Sequence, residues 1–286
     1  MKNERKIIGI DKLDDYEIHL ALKEGITEFE WRIQAKKYKE LFVEVCNDIV
    51  GGIGISWTNS NHPTAKYIHV ISDIAGNNLM EKLLHNNSPH TKVIFSCWED
   101  EKDKILLIHQ FNFKLFRKTF MERYDVDFLV QKLQTTDSIP AFLSLQQILN
   151  NPLLEKDLFQ LLKHNYEQTH LHNPAKEVGW QTWKDNLMED EIDLDLSYIA
   201  IDNGRVSAYI FVHPINQDHY EIGWVGKRNN FNLTSILKKQ LIQLAHNGVK
   251  TVEFEIDTTD YNAYQFANIL DLDSKRSWNS YILENT

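Results

Sequence analysis

Apolar positions along the chain follow two rhythms. A period near 3.6 runs from Leu153 to Thr169, with Leu154, Leu158, Leu161 and Leu162 on one face. It recurs at Leu233, Ile236, Leu237, Leu241, Leu244 and Ala245. Both stretches predict amphipathic helices, and Gly248 stands where a helix-ending glycine belongs. Alternation or short apolar runs predict strands at 41–46, 49–57, 66–71, 93–98 and 113–121, then at 220–224, 252–256 and 275–283. The two glycines Gly51 and Gly52, with Gly54, suggest a hairpin or bulge beside the second strand. Residues 196–214 read as a hairpin with Asn203-Gly204 at its tip. Further helices are expected at 14–23, 79–85, 100–110, from Trp180 through Leu187, and at 259–270.

The order of elements appears twice: helices, a β-hairpin, a strand, a turn and helix, a strand, a helix, a strand. The clearest echo sets Phe111 to Met121 against Leu270 to Ile282. A repeat of about half the chain suggests duplication. The breakers Pro140 and Asn150-Asn151-Pro152 frame a connector. The expected domains are therefore 1–135 and 152–286, joined by a docked connector at 136–151.

With 286 residues, 42% of them hydrophobic and 25% charged, the chain has the composition of a folded globular protein. Its net charge of −10 argues against a nucleic-acid partner. Cys46 and Cys97 form no CxxC, which points to a reducing, cytoplasmic setting. No apolar leader precedes Ile7 and no run is long enough to span a bilayer, so no membrane association is expected. His170 and His172 match no metal motif, and no metal site is expected. The aromatic set Trp180, Trp183, Tyr220 and Trp224 suits packing or a pocket wall.

The stretch from Tyr220 to Asp257 is a strand, a polar turn, a long helix and a strand, an arrangement that offers helix N-terminal amides to a phosphate. This order resembles the GNAT N-acetyltransferase family in a tandem form. Three sequence features carry the resemblance. They are the turn before the central helix, the triplets Phe111-Asn112-Phe113 and Leu270-Asp271-Leu272 in place of the family's L-G-F, and the Asn173-Pro174 to Leu187 stretch with its two tryptophans. The resemblance implies an α/β (α+β) fold of two tandem GNAT-like domains, each a mixed, mostly antiparallel sheet flanked by helices.

It also implies transfer of an acyl group from acetyl-CoA, or another acyl-CoA, to a small-molecule or peptide amine. The second domain is the better cofactor site, through Val225, Gly226, Lys227, Arg228, Asn230, Asn232, Leu233, Thr234 and Asn262. Asn230 and Asn232 stand where the family has glycines, and the first copy, Ala75 to Met80, keeps only Gly76. Glu221 is the expected base, with Asp218 and His219 as neighbours. Tyr264 is the expected acid, because Ala267 and Ile108 occupy the family's usual tyrosine position. A catalytically inactive scaffold or ligand-binding module is the alternative reading, and a homodimer is the assembly considered.

Overall fold

The computed structural model describes residues 5–9, 40–46, 49–72, 76–86, 91–133, 141–228 and 231–284. The helix expected at 14–23 lies outside them. Contacts gather the chain into two units. One holds Met1–Phe116, Asn173–Lys176 and Trp278–Thr286, and the other holds Arg117–His172 and Glu177–Ser277. The units therefore differ from the sequence halves expected at 1–135 and 152–286. The physical reason is strand pairing, because each half contributes its last strand to the other half's sheet.

In the first unit the strand order is β1 (Arg5–Gly9), β2 (Glu40–Cys46), β3 (Ile49–Asn59), β4 (His62–Ser72), β5 (Lys92–Trp98) and β12 (Ser277–Leu283). Neighbours are antiparallel except β4 and β5, which pair in parallel from Ala65 with Lys92 to Ile68 with Phe95. Helix α1 (Asn77–His85) makes that crossover and buries Leu79, Met80 and Leu83. Its packing explains Gly52 and Gly54, which lie within β3. A Cβ at Gly52 would fall inside 3.0 Å of Leu79 and Ser72, and one at Gly54 would press on Leu83. The glycines admit a helix at close range, and the antiparallel pairing of β2 with β3 slips by one residue at Gly51, the bulge expected there. Helix α2 (Lys102–Gln110) follows β5 and buries Leu107 and Ile108.

Asn173 ties a distant piece of chain into this unit. Its carbonyl accepts from His62 Nδ1 at 2.8 Å, its Oδ1 accepts from the Thr64 hydroxyl at 2.8 Å, and its Nδ2 donates to the Tyr67 hydroxyl at 2.8 Å. The residue is buried. The asparagine of the Asn173-Pro174 pair thus anchors the segment that precedes the tryptophan helix.

In the second unit the order is β6 (Lys114–Asp125), β11 (Thr251–Asp257), β10 (His219–Lys227), β9 (Arg205–Pro214), β8 (Tyr198–Asp202) and β7 (Ala141–Ser144). The expected connector is therefore structural, since β7 is an edge strand paired with β8 and is followed by the short helix α4 (Leu145–Leu149). Helix α3 (Val126–Lys132) continues from β6. Helices α5 (Pro152–Thr169) and α6 (Trp180–Met188) cover part of the sheet, with Leu158, Phe159 and Leu162 of α5 packed against Tyr209 and Phe211. Helix α7 (Leu233–His246) buries the apolar face read from the sequence. Asn203 and Gly204 both have positive φ, as the hairpin tip requires. The helix expected over 259–270 breaks into α8 (Tyr261–Tyr264) and α9 (Ala267–Leu270). Asn112 and Asp271, the central residues of the two triplets, both take left-handed backbone, with φ of 61° and 54°. Asn and Asp are the residues that replace glycine there at least cost.

No helix among the described residues is long and apolar enough to cross a membrane.

Asn173→Ala removes the partners of Thr64 and Tyr67 while keeping the backbone bond to His62. The expected loss is about 1–3 kcal/mol, read as a lower urea midpoint by a probe of the first unit. An unchanged midpoint would show that the segment is held by other contacts.

Candidate functional site

One extra residue organises the second unit. Along β9 and β10, Ile222 pairs with Val212, but the next registered pair is Val225 with Ile210. Three steps on β10 thus match two on β9, which is a β-bulge. The parallel pairing of β10 with β11 ends at the same place, at Ile222 with Phe254. Beyond it, β10 stays bonded to β9 as far as Lys227, and β11 stays bonded to β6 as far as Asp257. The two central strands part, and two cavities open where they separate.

The first cavity holds about 540 Å³ and is acidic. Glu221, Gly223 and Trp224 reach it from β10, Glu255 and Asp257 from β11, and Tyr209 and His213 from β9. Asp190 and Glu191, just past α6, close another side, and Asp260 stands below at the start of α8. Tyr166 and His170 of α5 complete the wall, stacked with centroids 4.0 Å apart. Arg117 Nη1 donates to Asp257 Oδ2 at 3.1 Å, and the Thr119 hydroxyl donates to the other carboxylate oxygen.

Burial raises the Asp260 carboxyl to about 6, although the Ala263 and Asn262 amides that it caps pull the other way. Glu255 is also raised, first by the protein around it and then by Asp257 and Glu221. Its side chain is exposed on the wall of an open cavity. Burial lowers His213, against the pull of Glu221 and Asp190.

The second cavity holds about 530 Å³ and shares Asn165 and Thr169 with the first. Lys227, Arg228, Thr259, Tyr261 and Asn262 line it. Asn165 Nδ2 lies 3.3 Å from the Lys227 carbonyl and 3.5 Å from the Tyr209 hydroxyl. Gly226 makes this fit possible, since a Cβ there would overlap both the Tyr209 ring and Asn165. Asn262 is buried, and its Oδ1 meets no hydrogen-bond donor among the described residues.

The expected site residues fall into three groups. Glu221 lines the acidic cavity, and Lys227, Arg228 and Asn262 line the second. Val225, Gly226 and Lys227 belong to β10 and not to a loop, because the bulge lengthens the strand. Several expected anion binders are engaged within the protein. Lys227 Nζ donates to the Phe231 carbonyl at 3.1 Å, and burial lowers its pKa. Arg228 binds Asp157 at 2.9 Å and the Val206 carbonyl at 3.1 Å. Asn232 caps α7 by accepting from the Thr234 amide at 2.9 Å. Leu233 is core, and Lys238 of α7 donates to the Leu133 carbonyl at 2.8 Å. Asn230 lies outside the described residues, as does Ala75 of the first copy.

Tyr264 packs against the core of this unit and lines neither cavity. His219 binds Thr251 Oγ1 at 2.8 Å, at the closed end of the parallel pairing. Asp218 lies 3.5 Å from Lys250. Of the four aromatic candidates, Trp224 lines the acidic cavity, while Trp180 and Trp183 pack beside α5 and Tyr220 binds Asp193. No cluster suited to a metal ion occurs among the described residues. Asp260, Glu255, His213, Tyr209 and Asn165 escaped the sequence reading. Only Asp260 carried a local signal, as a helix-capping aspartate after two threonines.

No family model and no curated protein matches the sequence. Solved structures do match the fold. A GCN5-related N-acetyltransferase from Sphaerobacter thermophilus aligns at 12% identity and TM-score 0.56, over 86% of this chain and 81% of its own. A tandem GNAT protein from the clavulanic acid biosynthesis pathway aligns at 10% identity and TM-score 0.53, over 99% of each chain. The chain has the tandem GNAT fold that its element order implies.

The unfolded chain releases the Asp260 proton near 3.8 and the folded chain near 6. Over that window the folded state holds more protons, so stability falls as pH rises, by roughly 3 kcal/mol in all. Asp260→Asn keeps the cap and removes this slope. The variant should gain stability over wild type at pH 8 and lose that gain at pH 4 in urea unfolding. An equal difference at both pH values would contradict the assignment.

Proposed function

We propose that the second unit is an acyl-CoA-dependent N-acyltransferase, with acetyl-CoA as the expected donor and a primary amine as the acceptor. The observation that carries this reading is the pair of cavities that open from one strand separation and share Asn165 and Thr169. A two-substrate transfer needs two approaches to a common point, so that the reacting atoms meet in a fixed geometry. The likeness in fold to acetyltransferases supports the same reading.

The residues of the second cavity fit the amide-bearing arm of CoA better than its phosphates. Asn262 Oδ1 offers a buried acceptor that lacks a donor, which suits an amide N–H. The phosphate end has the N-terminus of α7, but Asn232 already takes the Thr234 amide, and Arg228 is held by Asp157. When bound, acyl-CoA supplies the activated thioester carbonyl. On the other side, Glu221 faces the acidic cavity and serves as the base that takes the amine proton. His213, kept toward its neutral form by burial, lies near enough to Glu221 to feel its charge and orient it. Tyr209 and Asn165 hold the end of β10 in place between the cavities.

The engaged cations and the self-capped α7 favour a second reading, a ligand-binding module without turnover. Calorimetry with CoA and acetyl-CoA, paired with a thioester-consumption assay over small amines, separates the two. Asn262→Ala should weaken acyl-CoA binding by about tenfold. Glu221→Gln should leave that binding intact and lower kcat/KM by about 10²–10⁴. Heat without turnover on any amine would support the binding module, and no heat with either CoA compound would remove the transferase.

A further inference from the structure

We infer that the acceptor is a diamine or longer polyamine, whose second ammonium group is held by the acidic cavity while the first nitrogen reacts. The inference rests on the acyltransferase reading for the reaction, and on the cavity alone for the binding.

Charge balance carries it. Six carboxyl groups face the cavity from four separate stretches of chain, and the one guanidinium among them, Arg117, is paired with Asp257. Two histidines line the cavity: His213 is held toward neutral by burial, and His170 is stacked on Tyr166. Apart from Asp260, the carboxyls lie in two sets. Glu221, Glu255 and Asp257 line the parted strands, and Asp190 and Glu191 lie past the end of α6. His213 lines the same cavity and feels the charge of Glu221 in one set and of Asp190 in the other. A single ammonium group placed for reaction near Glu221 leaves the other set uncompensated, and a second cation along the same chain meets it.

The walls between the sets suit a polymethylene chain. Trp224 and Tyr166 stack with centroids 5.4 Å apart and both face the cavity, giving an apolar surface that also attracts cations. The volume, about 540 Å³, is that of a small-molecule site. Acceptors carrying a carboxylate or phosphate beside the amine would meet like charge on every side. Both Glu255 and Asp260 are raised in pKa, first by burial and then by the carboxylates beside them.

The test is binding without acyl-CoA, by calorimetry, of 1,5-diaminopentane against 5-aminopentan-1-ol, which differ only in the second charge. The diamine should bind about tenfold more tightly, with the ratio shrinking as salt rises. Asp190→Asn, on the exposed stretch after α6, and Glu255→Gln, on β11, should each bring the ratio toward one. Equal affinities, or no heat from either compound, would overturn the inference. Turnover keeps the two readings apart. Diamine binding with no thioester consumed removes the transferase and leaves the cation site. Thioester consumed with monoamines or amino acids, but not with the diamine, does the reverse.

Discussion

Much of the second unit follows from one inserted residue on β10. A parallel pair of strands cannot separate unless each keeps a partner on its outer side, because buried backbone groups must be bonded. The bulge between Ile222 and Val225 meets this condition, with β10 remaining on β9 and β11 remaining on β6. The backbone edges that face each other across the gap then look into cavities instead of a ladder. Helix α5 covers part of that gap, and Asn165 satisfies the Lys227 carbonyl. The opening is therefore a supported structure, and both cavities depend on it.

The two sides of the opening differ in electrostatic character. On one side, basic groups are held by the protein's own oxygens: Lys227 by Phe231, Arg228 by Asp157, Lys238 by Leu133. On the other, carboxyls outnumber the cations near them, and two are pushed toward their neutral forms. Six acidic side chains thus meet at one cavity, while the basic groups beside the other serve as struts. Proximity in sequence to a helix N-terminus did not make Arg228 available to a ligand, because Asp157, 71 residues earlier, claims it.

What the sequence revealed was local. Helices α5 and α7, the Asn203-Gly204 hairpin and the paired triplets were legible because each is set by spacing or by backbone preference within a few residues. The left-handed conformations at Asn112 and Asp271 bear out the triplets physically. Properties that need a partner were hidden. Gly226 reads as part of a cofactor-binding turn until Tyr209 is placed against it. Gly52 and Gly54 read only as part of a hairpin or bulge until α1 is packed against them. Glu255 and Asp257 look like the polar side of an alternating strand, and only the parting of β10 from β11 turns that side into a cavity wall. Glu221 is legible because it lies on the strand that leads into the turn before the central helix. Tyr264 failed to line a cavity because the helix expected over 259–270 is broken at Gln265-Phe266 and turns its ring toward the core.

The exchanged last strands have a consequence for biosynthesis. Synthesis runs from the N-terminus, so β5 emerges before β6 to β11, yet its antiparallel neighbour β12 emerges after them. Until then one edge of the first unit's sheet has no strand to pair with, and Val93, Phe95 and Cys97 border that edge. The strands of the second unit, β6 to β11, are all made before Ser277. The later half can thus be finished while the earlier half waits with an open edge, the state in which strands most readily pair with the wrong neighbour. Order of translation and order of completion are reversed, and a chaperone that shields β5 would act at the moment of greatest exposure.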